Sequence, residues 1–128
     1  MPEKDFKEFV KKARERYRKI GSVPCPTFGG ERVYFTRAGF KHLIRKGRLP
    51  RLKEEQIKRL KLMPQGPVLL AKNTKFSTYT AHPNVSFWSF IGTKNKKKVT
   101  VIVRQFNAKP KHFFSIFEDR PSKSTQTP

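Results

Sequence analysis

Three histidines, His42, His82 and His112, are the side chains of this 128-residue sequence whose ordinary pKa lies closest to neutrality. Two of them adjoin a lysine, Lys41 before His42 and Lys111 before His112. With Arg104 and Ser115 they supply the residue types for breaking a phosphodiester without a metal. That chemistry asks for a base near a 2′-oxygen, an acid near the 5′-leaving oxygen, and cations or neutral donors around the phosphate. Lys41, His42, Arg104, His112, His82 and Ser115 are therefore the candidate catalytic set. Each also has an ordinary reading. His42 can be a helix-surface histidine satisfied by solvent, and Arg104 an end-of-strand charge reaching water. Ser115 can fill space beside a backbone, while His82 and His112 begin strands, where polar residues are common.

Metal chemistry has little to work with. There is no HxH, CxxC or HExxH spacing and no aspartate cluster in the central region. Cys25 is the only cysteine, so no intramolecular disulfide forms. Its Pro-Cys-Pro setting provides no helix N-terminus to activate the thiol. Neither a metal nor another cofactor is expected.

Thirty basic against nine acidic side chains give a formal charge of +21. Such a charge favours encounter with a polyanion, nucleic acid above all, over a neutral ligand. Between Glu55 and Glu118 there is no carboxylate, while twelve Lys or Arg residues fall in the same interval. Arg37, Arg45, Lys75, Lys94, Lys96, Lys97, Lys98 and Lys111 are candidate phosphate contacts, and Trp88 is a candidate base-stacking platform. The lysines of GTKNKKK serve equally well to blunt a sheet edge. Acidic membrane surfaces and an acidic immunity-type or regulatory protein are the other partners such a charge admits. The N-terminus MPEKDF lacks a signal peptide's apolar segment, and no run reaches the 18 apolar residues of a spanning helix. A cytoplasmic chain that does not enter a membrane is expected.

These side chains have to be carried by elements that the pattern also suggests. Phe6, Phe9, Val10, Ala13, Tyr17 and Ile20 recur at helical spacing and predict an amphipathic helix over 4–20, closed by Gly21. Residues 21–32 read as a loop and 33–35 as a short strand. Thr36 caps a helix through RAGFKHLIRKG with Gly47 as its stop, and the apolar stripe of Phe40, Leu43 and Ile44 leaves His42 looking away from the core. Pro50 opens a further helix that Pro64 ends, with Glu54 and Glu55 near its positive end. Beyond it, strands are expected at 68–71, 76–80, 85–91, 99–104 and 113–117. Alternation puts Val99, Val101 and Val103 on the core side, and sets Phe113, Ser115 and Phe117 opposite His112, Phe114 and Ile116. The expectation is one α+β domain over 1–119, N-terminal helices packed on a four- to six-stranded, largely antiparallel curved sheet, with a disordered tail over 120–128.

The order RVYFTRAGFKHLI, then KKKVTVIVRQF, then KHFFSIFED resembles the small metal-independent RNase domains of the barnase, EndoU, colicin-type tRNase and RelE-like superfamily, particularly phage and bacterial toxin forms. The resemblance spans residues 31 to 119. It implies helices on a curved antiparallel sheet and an endoribonuclease acting on single-stranded or tRNA-loop RNA. It also implies an acidic immunity or antitoxin protein as partner. Carried over, His42 is the helix histidine with Lys41 beside it, Ser115 the late-strand hydroxyl, and Arg104 the phosphate clamp. The sheet region lacks a glutamate base, which leaves His42 to serve. The rival is a non-catalytic basic RNA- or DNA-binding protein, and convergence of His42, Arg104 and Ser115 is what separates the two.

Overall fold

The structure is a computed structural model and describes residues 1–118; the tail expected over 120–128 lies outside the described residues. Helix α1 (Glu3–Ile20) forms where the apolar spacing asks for it. It buries Phe6, Ala13 and Tyr17 and ends at Gly21 with a positive φ. Glu3 and Asp5 in its first turn and Arg18 and Lys19 in its last complement the helix dipole. Strand β1 (Ser22–Pro24) and strand β2 (Arg32–Tyr34) pair antiparallel across a short 3₁₀ turn at Pro26–Phe28. Thr36 then caps α2 (Arg37–Ile44), its hydroxyl accepting from the Gly39 amide.

The next segment departs from expectation. Helix α2 ends at Ile44, and Gly47, with φ +64°, turns a two-residue hairpin of β3 (Arg45–Lys46) and β4 (Leu49–Pro50). Pro50 thus closes a hairpin, and α3 (Lys53–Leu62) starts three residues later. The strand expected at 68–71 is helical: α4 (Gln65–Lys72) follows Pro64, which adopts helical angles. A four-residue apolar run does not distinguish strand from helix. Burial does, since Gly66, Leu69 and Leu70 fall at i, i+3 and i+4.

Four longer strands complete the sheet: β5 (Thr78–His82), β6 (Val85–Lys94), β7 (Lys97–Phe106) and β8 (His112–Glu118). The six-stranded order is β1-β2-β8-β7-β6-β5, antiparallel except at β2/β8. The chain is therefore α+β, and its N-terminal helix packs against the sheet system through Tyr17, whose ring meets Phe113. Val99, Val101, Val103, Phe90, Phe113 and Ile116 are sealed on one face beneath Leu69 and Leu70 of α4. Among the described residues, no helix is long and apolar enough to cross a membrane.

Strand β8 does not alternate as its sequence suggests. Ile102 pairs with Ser115 but Val103 with Phe113, so Phe114 is an extra residue in a β-bulge. The bulge shifts the phase by one. His112, Ser115 and Phe117 share a face, and Phe113 and Ile116 share the core.

The β6–β7 hairpin turns on Asn95 and Lys96, both at positive φ (51° and 66°). That is the type I′ geometry in which glycine is favoured second. Replacing Lys96 with glycine is expected to raise stability by about 0.5–1 kcal/mol, the left-handed cost relieved less the entropy glycine adds. A higher urea midpoint at constant m would register it.

Candidate active site

Residues paired across antiparallel strands project to the same side. Thr80 pairs with Phe87, Phe87 with Arg104, and Arg104 with His112, giving one row across the sheet face opposite the core. A parallel row runs through Thr78, Ser89, Ile102 and Ser115. Helices α2 and α3 lie along β8 at the margin of this face and add side chains to it.

The bulge residue Phe114 is the centre. His42 of α2 stacks on its ring at 4.0 Å between centroids, and the Arg104 guanidinium lies 4.2 Å from its centroid. Phe87 meets the same ring at 5.7 Å. Arg104 is further fixed by Nε donating to His112 Nε2 at 2.8 Å and by Phe106, whose centroid lies 4.5 Å away. From α3, Arg59 donates through Nη1 to Ser115 Oγ at 2.8 Å and through Nε to Glu55 Oε2 at 2.8 Å. Arg51, just before α3, donates to the His42 carbonyl at 3.0 Å. Three guanidiniums thus lie close enough for their charges to act on one imidazole.

Electrostatics follow from that arrangement. Burial, then the charges of Arg51, Arg59, Arg104 and Lys46, lower the His42 pKa to about 4. The ring is neutral at pH 7 and able to accept a proton. Its Nδ1 is sealed from water and has no hydrogen-bond partner among the described residues. A proton exchanged with a ligand in this arrangement therefore passes through Nε2. His112 is also held below its ordinary value, by burial and by Arg104, while a hydrogen bond to the Pro110 carbonyl opposes the shift. Burial pushes Glu55 up, but its hydrogen bond to Arg59 and the charges of Arg59, Arg51 and Lys58 leave it lowered and ionised.

The structure brings His42, Arg104, His112 and Ser115 onto this face. His112 is 9% exposed with both ring nitrogens engaged, so it orients Arg104. Ser115 is 2% exposed and holds Arg59. His82 is exposed at the far margin of the same face, its ring 6.0 Å from Phe87. Lys41, Arg37 and Arg45 lie instead in a groove between α1 and α2. Trp88 points to the core face, against Phe28 and Tyr79. Lys111 is tied to Glu31 at 2.8 Å and lies over Phe28 and Trp88, away from His42. Lys94, Lys96, Lys97 and Lys98 form the hairpin end of β6–β7, and Lys75 precedes β5.

His42 lies outside the main core, as its place off the apolar stripe of α2 suggests, but it is not simply solvated: α2 rests on β8, and the bulge lifts Phe114 beneath the imidazole. Sequence reasoning missed Arg51, Arg59, Glu55 and Phe114. The Phe-Phe doublet in HFFSIF, which breaks strict alternation, was the available sign of the bulge; Glu55 and Arg59 stand at i,i+4, an ordinary helix pair. Among the described residues, no group of three or more His, Cys, Asp or Glu side chains is placed to hold a metal ion. No family model, curated protein or solved structure matches the chain.

Proposed function

We propose that this domain is a metal-independent endoribonuclease that cleaves single-stranded or tRNA-loop RNA, of the phage or bacterial toxin kind its sequence resembles. One observation carries the reading: His42, neutral and half-buried, lies within the electrostatic reach of Arg51, Arg59 and Arg104 on the sheet face opposite the core. A phosphate set against these arginines is held by guanidiniums matched to its oxygens. His42 Nε2 takes the proton of the neighbouring 2′-hydroxyl, and the 2′-oxygen bonds to phosphorus as the phosphorus–5′-oxygen bond breaks. The 5′-oxygen takes a proton from water, and the hydroxide so formed recovers the proton from His42. The products are a 2′,3′-cyclic phosphate and a 5′-hydroxyl. The arginines stabilise the charge that builds on the phosphate oxygens. Phe87, half-buried on the same face, offers ring surface to a splayed base. Under this reading the chain acts in the cytoplasm, and an acidic immunity or antitoxin protein is a fitting partner for its charge.

A second reading, a basic RNA-binding module without chemistry, is favoured by one observation. His112 and Ser115 are both engaged internally, so neither is free to act as a second proton carrier beside His42. Incubating the protein with labelled total tRNA and mixed single-stranded RNA in excess EDTA separates the two. Discrete cuts with cyclic-phosphate or 3′-phosphate ends are the expected result. RNA retained intact in a stable complex would establish the module and overturn the nuclease.

A further inference from the structure

Helices α1 and α2 enclose a groove of about 380 Å³ whose lining has no role in the site above. Arg14, Arg18, Arg37, Lys41 and Arg45 line it, over a floor of Tyr17, Phe35 and Phe40, and no carboxylate contributes. The floor is fixed. Tyr17 donates to the Thr36 carbonyl at 2.7 Å, burial holds its phenol neutral, and its ring meets Phe35 and Phe40 edge-on. The Arg14 guanidinium lies 5.0 Å from the Phe40 centroid. Arg18, Arg37 and Lys41 are exposed, and none of the three has an ion pair among the described residues. Five cations with no carboxylate in the groove lining, set over an apolar floor, make a receptor for a phosphate-bearing chain.

Two features connect this groove with His42. Lys41 lines it and His42, the next residue of α2, faces Phe114 on the other side, so one helix separates them, about 10–12 Å with side chains. The β3–β4 hairpin bridges the same gap with positive charge. Arg45 lines the groove and binds the Arg48 carbonyl, while Lys46 acts on the His42 pKa. We infer that the α1–α2 groove is a second phosphate subsite for the same RNA strand that presents its scissile bond to His42. The inference rests on the nuclease reading for the strand's other end, and adds where that strand is gripped. It also gives Arg37, Lys41 and Arg45 a place without requiring them at the chemistry.

The test uses a short fluorescent RNA with every 2′-hydroxyl methylated, which binds without being cut. Its affinity is measured at several salt concentrations for the wild-type chain, for Arg18→Ala/Arg37→Ala, and for Lys11→Ala/Lys12→Ala. Lys11 and Lys12 are exposed on α1 outside the groove lining, and so report general basicity. The groove pair is expected to weaken binding by about tenfold and to flatten the log-affinity against log-salt slope by about 1.4, two contacts at ~0.7 each. The Lys11/Lys12 pair is expected to change affinity far less, with circular dichroism identical in all three. Equal losses in both pairs, or no loss in the groove pair, would overturn the subsite. So would polyglutamate that binds wild type but not the groove pair and leaves the RNA bound, which would assign the groove to an acidic protein. Unmodified RNA keeps the two readings apart. Cleavage with unchanged kcat and raised KM in the groove variant supports both, whereas RNA left uncut by a wild-type chain that shows the groove-dependent affinity defeats only the nuclease.

Discussion

Replacing His42 with alanine is expected to lower kcat on single-stranded RNA by about 10²–10⁴-fold, the usual worth of a positioned proton carrier. Affinity for uncleavable RNA should hold, because the arginines are untouched. The pH dependence follows from a pKa lowered to about 4 by burial and by Arg51, Arg59, Arg104 and Lys46. With the neutral ring as the proposed base, kcat/KM is expected to be level above about pH 5 and to fall as pH drops through about 4. The corresponding limb in kcat lies higher, since a bound phosphodiester offsets part of the arginine charge and makes the imidazole easier to protonate. Cleavage that rises as pH falls towards 4 would make His42 the acid instead. Unchanged cleavage in the alanine variant would remove it from the reaction. Arg104→Lys offers an internal comparison, because a lysine cannot keep both the His112 hydrogen bond and the flat contacts with Phe106 and Phe114.

Gly39→Ala is expected to destabilise the fold by about 3 kcal/mol. In an exposed helix the same change stabilises by about 1 kcal/mol, so the sign here is diagnostic. A Cβ at Gly39 would lie 2.5 Å from the Phe113 carbonyl oxygen and 2.5 Å from the Tyr17 hydroxyl. One is sheet backbone and the other is pinned to Thr36, so neither yields cheaply. Gly92→Ala is the control. There the close atom is Leu69 Cδ1, the end of a side chain that can turn away, and the loss should be about 1 kcal/mol. Urea unfolding of the two variants measures the difference. A stabilised Gly39→Ala would mean that α2 does not approach β8 so closely, and His42 would lose its seat with it.

The valines at 99, 101 and 103, the Thr36 cap and the amphipathic first helix were legible because each depends on local spacing, and the α+β class followed from them. What was not legible depended on distant neighbours. PVLLA is helical because Leu69 and Leu70 share a core with strands far along the chain, not because of its own composition. At the site, His42, Arg104 and Ser115 were legible by residue type alone. Arg59 and Arg51 were not, because basic residues in and beside a helix ordinarily face water. Only the helix's position along β8 turns Arg59 towards Ser115. The bulge at Phe114 is the plainest case, one residue that exchanges the two faces of a strand and defeats any reading by alternation.

The pairing of β2 with β8, Tyr34 beside His112, gives the domain a further property, one of timing. Strand β8 joins the first third of the chain to β7, and its Phe114 is the surface on which both His42 and Arg104 rest. Contacts so far apart in sequence close late, after the local helices and hairpins have formed. A chain cut short before β8 would therefore keep His42 but lack Phe114, the ring on which it rests.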